Sequence, residues 1–183
     1  MSRLIAVLLL LISPSSWATE FSIGSPLPAL SIEKRGELLM TGDEVSYRPW
    51  ALPDDLGKVH VLQYMAGRMS ARSQTKPFTD KLEELPDGNF HVTTVINLDD
   101  ILWGSSGFVV GQLKSNKQKY PDSTIVVDEE GAGLATWGLK PKGATIVILD
   151  AGGSVLYFKE GAMSEAEIDS TLELMRSHFP PAE

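Results

Sequence analysis

An α/β fold, with a central mixed sheet flanked by helices and an extra N-terminal β-hairpin, is what three features of this 183-residue sequence predict. Two strand-then-helix phrases follow one another, Val59 to Leu85 and Phe90 to Tyr120, and that order calls for parallel crossovers. A tight reversal at Asp150-Ala151-Gly152-Gly153 joins two apolar runs into a β-hairpin, which is necessarily antiparallel. The chain then closes on an amphipathic helix that opens with a capping-box spacing.

Each element has its own warrant. Between Phe21 and Met40 there is turn punctuation at Gly24-Ser25-Pro26. A hairpin is expected around Lys34-Arg35-Gly36, flanked by Leu30, Ile32, Leu38 and Met40 at alternating positions. Val59 to Met65 has the β-branched and aromatic content of a buried strand. Ala66-Gly67-Arg68-Met69-Ser70 then leads into a helix with Phe78, Leu82 and Leu85 on one face, which Pro77 is expected to kink or restart. Phe90 to Ile96 reads as the next strand, and a helix from Ser105 or Ser106 to Tyr120 follows Asn97-Leu98-Asp99-Asp100. Thr124 to Val127 is the third strand, ended at Asp128-Glu129-Glu130-Gly131. Ala144 to Leu149 and Val155 to Phe158 make the closing hairpin. Ser164-Glu165-Ala166-Glu167 caps the last helix, whose Ile168, Leu172, Met175 and Phe179 step by four, three and four.

The first residues read as an export signal. Met1-Ser2-Arg3 is a short positive start, Leu4 to Ile12 is unbroken and apolar, and the stretch to Ala18 ends on small residues, so cleavage is expected after Ala18. The apolar run is about half the ~18–20 residues that span a bilayer. With no cysteine at the cut, lipid attachment there is excluded and no stable membrane anchor is expected after cleavage. Residues 19–183 should form a single domain, since no repeat, low-complexity tract or linker divides them. The formal charge is −8, and loss of Arg3 makes the exported form more acidic, which disfavours nucleic acid as a partner. The absence of cysteine removes disulfides, thiolate nucleophiles and thiolate metal sites, and with them thiol–disulfide exchange and thiol peroxidase activity.

The element order and the phrases Gly57 to Ala66, Val126 to Gly131 and Ile148 to Gly153 resemble the thioredoxin-like fold in its TlpA and peroxiredoxin-type branches. More closely, Val61 to Ala71 together with Val95 to Asp100 is similar to the YtfJ family of small periplasmic proteins. That resemblance runs through nearly the whole exported chain and implies a fold and a compartment but no mechanism. Set on the redox loop of thioredoxins, the two cysteine positions fall on Met69 and Arg72. The cis-proline that opens the next-to-last strand in such proteins is replaced by Ala144, so a trans peptide is expected there.

In open α/β sheets ligands favour the crevice at the carboxyl ends of parallel strands. Here that crevice should gather Gly67, Arg68, Met69, Ser70 and Arg72 with Asn97, Asp99, Asp100 and Trp103. The amino end of the first helix, Ser70 and the Arg68 guanidinium would suit an anionic group. The competing structural reading has Ser70 capping the helix and Arg68 paired with Asp99 or Asp100. Asp99 and Asp100 read first as a solvated turn, and Ser70 lacks the phrase of a hydrolase nucleophile. His60, His91 and His178 read as structural, Trp50, Trp103 and Trp137 as packing residues, and the Asp-x-x-Gly segments as turns rather than calcium loops. No catalytic residue, metal or cofactor is expected. The leading expectation is an accessory module for an unidentified envelope protein. The alternatives are a non-thiol enzyme or a carrier acting on a small anionic ligand.

Overall fold

The computed structural model describes residues 21–53, 56–86, 88–99 and 106–180, and of 106–110 the backbone alone. The expected leader, together with Asp100 and Trp103, lies outside the described residues. The strands are Ser31–Thr41 (β1), Glu44–Ala51 (β2), Val59–Ala66 (β3), Phe90–Asn97 (β4), Thr124–Asp128 (β5), Ala144–Leu149 (β6) and Val155–Glu160 (β7). The helices are Met69–Leu82 (α1), Ser106–Lys119 (α2), Ala132–Thr136 (α3) and Glu165–Ser177 (α4). The strands form one sheet in the order β2-β1-β5-β4-β3-β6-β7.

As expected, β3, β4 and β5 are parallel and β6 and β7 pair antiparallel. Because the chain steps from β3 to β4 to β5 in one direction, right-handed crossovers put α1 and α2 on the same face. There Ala71 and Leu113 pack with Met65, Ile96, Ile125 and Val127, while Phe78, Leu82, Ile168, Leu172 and Met175 pack on Val59, Val61, Ile146 and Ile148. The other face is covered by the entering chain, through Phe21, Leu27 and Leu30, and by Trp137 at the end of α3. Covered on both sides, β3 is buried at every position, His60 and Gln63 included, which is why its sequence shows no regular alternation of apolar and polar residues. Among the described residues no helix is long and apolar enough to cross a membrane.

At three points the structure corrects, narrows or adds to what the sequence predicts. The chain does not reverse at Lys34-Arg35-Gly36. These residues form a bulge inside β1, where pairing with β2 slips between Ile32 and Glu37, and the reversal comes at Gly42-Asp43. The polar, glycine-containing triplet mimics a turn because Arg35 and Gly36 adopt φ of 62° and 73°, yet the strand resumes in the same direction. Pro77 does not start a second helix, because α1 runs unbroken through it. An interior proline costs about 3 kcal/mol. Burial of Phe78 and Leu82 beyond it, at about 1.5–3 kcal/mol each, offsets that. The helix α3 was not foreseen, since Gly131 to Thr136 is too short and glycine-rich to show a period.

Candidate functional site

The carboxyl end of β3 is tied on both sides before the chain leaves the sheet. Ala66 N donates to Gly143 O at 2.9 Å and Gly67 N to Asn97 O at 2.9 Å. Arg68 N donates to Ala66 O at 2.7 Å, a sharp bend that lets α1 begin at once. Ser70 is therefore not the cap that the structural reading of the sequence assigned. Arg68 stands at the N-cap in extended conformation, no side chain caps the helix, and its first turn holds no acidic residue. Ser70 is the second helical residue.

The periodicity of α1 then divides its residues. Ala71, Thr75, Phe78 and Leu82 are buried, leaving Met69, Ser70, Arg72 and Ser73 exposed. Met69 is 64% exposed, one of two large apolar side chains in the open among the described residues, the other being Ile23. Arg72 Nη1 donates to Gln112 Oε1 of α2 at 2.8 Å. Gln74, on the next turn, accepts from Ala144 N at 3.1 Å and so fixes α1 against the start of β6. The segment leading into β6 brings the exposed Lys140 and Lys142 to the same end of the sheet. The described residues contain no cis peptide, including the bond before Thr145.

Of the residues expected in the crevice, Gly67, Arg68, Met69, Ser70 and Arg72 share this end, and Asn97 joins them through its backbone only. The Asn97 side chain is buried, 1% exposed, and accepts from Asp99 N at 2.8 Å through Oδ1. It pairs in register with Asp128 of β5 and lies beside Gly131, on the face away from α1. Asp99 is exposed in that turn. The described histidines lie away from Ser70. His60 and His91 are at the opposite, amino ends of β3 and β4, where His60 Nε2 and Thr93 Oγ1 are 2.8 Å apart and His91 Nε2 and Thr124 Oγ1 are 2.9 Å apart. Their rings meet edge to face at 5.1 Å. Burial, helped by His91, pushes the His60 imidazole down to about 3, and burial with Lys58 and Lys117 lowers His91. His178 ends α4, with Nδ1 3.0 Å from Leu174 O. No group of three or more His, Asp and Glu among the described residues is placed to hold a metal.

With that geometry in place, comparison with known proteins decides the family. The model of a bacterial protein family of unknown function, YtfJ_HI0045, matches residues 21–178. The chain belongs to the YtfJ family. It is 35% identical over 176 residues to the uncharacterized protein YtfJ of Escherichia coli K12, covering 95% of this chain and 96% of that one. It is 32% identical to an uncharacterized protein of Haemophilus influenzae, over 89% and 90% of the two chains. Among solved structures it is similar to the thioredoxin domain of a thiol-disulfide oxidoreductase from Bacteroides vulgatus, with TM-score 0.57, 15% identity and 84% and 97% coverage. A thiol-disulfide isomerase from Corynebacterium glutamicum gives TM-score 0.57, 15% identity and 85% and 97% coverage. This member of the YtfJ family therefore has a thioredoxin-like fold without a cysteine.

Two residues that matter to this end of the sheet escaped the sequence reading. Asp128, taken for a turn residue, is buried and accepts three bonds: Tyr64 Oη at 2.9 Å, Ala132 N at 2.9 Å and Gly133 N at 2.9 Å. It anchors α3 to β3 and β5. Gln74 gave no signal because a polar residue on an otherwise exposed helical face looks solvated. Trp50 and Trp137 are buried, with Trp137 Nε1 donating to Pro28 O at 2.9 Å.

Proposed function

We propose that this protein is exported to the periplasm with loss of its first 18 residues and serves there as a thiol-free docking module. Its contact face is the carboxyl end of β3. The observation that carries the reading is the exposed Met69 at the start of α1, an apolar tip on a helix end that also exposes Arg72, on a chain of net charge −8. Lys140 at the same end is already paired with Glu160 at 3.0 Å, so the pairing of the apolar tip with Arg72 is what fits a partner protein presenting an acidic segment with an apolar side chain. Burying most of one Met contributes about 1–2 kcal/mol and each exposed ion pair about 1 kcal/mol or less. These few contacts fall short of the about 8 kcal/mol of a micromolar complex, so docking must also engage the segment leading into β6.

A second reading, a small anionic ligand on the amino end of α1, is favoured by the missing cap and the missing acidic residue in its first turn. Site-specific photo-crosslinking in living cells separates the two. A probe at Ser73, exposed beside Arg72, should yield a discrete protein adduct, and a probe at Glu173 on α4 should not. Loss of the adduct on Arg72→Glu would support charge-guided docking. Equal labelling from both positions, or none from Ser73 in folded and exported protein, removes the docking reading.

A further inference from the structure

Resting on that docking reading, we infer that Met69 is an oxidation site whose conversion to the sulfoxide turns docking off. The described methionines differ sharply in access. Met65 and Met163 are 8% exposed and Met175 is 0%, Met40 is half-buried, and Met69 is 64% exposed. With no cysteine to compete, its thioether is the most accessible soft nucleophile among the described residues. A hydroperoxide or hydrogen peroxide is the oxidant class. The sulfur lone pair attacks one peroxide oxygen, the S–O bond forms as the O–O bond breaks, and the departing oxygen leaves as alcohol or water with the proton. Sulfur is oxidised and peroxide reduced.

The surroundings give that change an effect. Met69 and Arg72 are three apart on one helix, a spacing that makes their side chains neighbours, and the guanidinium has N–H groups beyond the one given to Gln112 with which to reach a sulfoxide oxygen. The apolar tip becomes a hydrogen-bonded polar one, and Arg72 is drawn from the partner's acid. Since Met69 contributes to no buried cluster, the fold is left intact.

The test uses the whole exported protein treated with dilute hydrogen peroxide, read by mass spectrometry of its peptides and by crosslinking from Ser73. Met69 sulfoxide should form about tenfold or more faster than sulfoxide at Met65, Met163 or Met175, and adduct yield should fall about fivefold as it forms. Met69→Leu should keep the adduct after peroxide, and Met69→Gln should lose it before. Oxidation at Met69 no faster than at the buried methionines overturns the site. Adduct yield unchanged at full Met69 oxidation overturns the switch. Absence of any adduct from untreated protein removes the docking reading and the switch together, while the peptide rates still decide the site alone.

Discussion

Asp128 shows how much one residue can hold while looking ordinary in the sequence. Its three donors come from β3 and from two successive amides of α3, so its carboxylate ends a strand, starts a helix and fixes a tyrosine at once. Asp128→Asn should lower the unfolding free energy by about 2–4 kcal/mol and Tyr64→Phe by about 1 kcal/mol, measured by urea denaturation. His60 sets a pH dependence of definite sign. An unfolded imidazole takes its proton near pH 6.5, whereas the folded one resists to about 3, so acid favours the unfolded chain. The stabilisation from neutral His60 is complete above about pH 6.5 and drains as pH falls toward about 3. In His60→Gln, which can still bond Thr93, the slope of stability against pH between about pH 4 and 6 should be shallower by about 1.4 kcal/mol per pH unit. The sequence showed Asp128 before a glycine and His60 in a strand. What it could not show is the register that sets His60 beside His91 and Tyr64 within reach of Asp128.

Elements whose information is local were legible. The closing helix reads directly from Ser164 and Glu167, and both bonds of its capping box form, with Glu167 N donating to Ser164 Oγ at 3.3 Å and Ser164 N to Glu167 Oε2 at 2.8 Å. The strands β3 to β6 were legible because they are rich in β-branched and aromatic residues between turn signals. The bulge in β1 was not, because only the partner strand distinguishes a slip in register from a reversal. Gly36 makes the point physically: a Cβ there would lie 2.2 Å from Arg48 O, on a backbone at φ 73°. Gly36→Ala should cost about 2–4 kcal/mol and raise amide exchange first in β1 and β2, whereas Gly42→Ala, with open space around it, should cost less. At Pro77 local preference allowed either a kink or a second helix, and packing on both sides of it keeps α1 one helix.

At the scale of the whole molecule, the site was only half legible. Its residues on α1 are contiguous in sequence, but the lysines before β6 and the anchoring Gln74 join them only once β6 lies beside β3. The same long-range pairing governs how the chain is assembled. Residues Arg35–Glu37 of β1 pair with Val126–Asp128 of β5, so a hairpin made early must wait for most of the later chain before its inner edge is covered. During that interval an unpaired strand edge invites pairing with other chains. The bulge lies on that waiting edge, carrying Lys34 and Arg35, which in the finished protein are claimed by Glu129 and Glu130. Until those acids arrive, a kinked stretch with four charged side chains, Glu33, Lys34, Arg35 and Glu37, is a poor template for another strand, so the irregularity in β1 guards the nascent protein against aggregation and afterwards latches it shut.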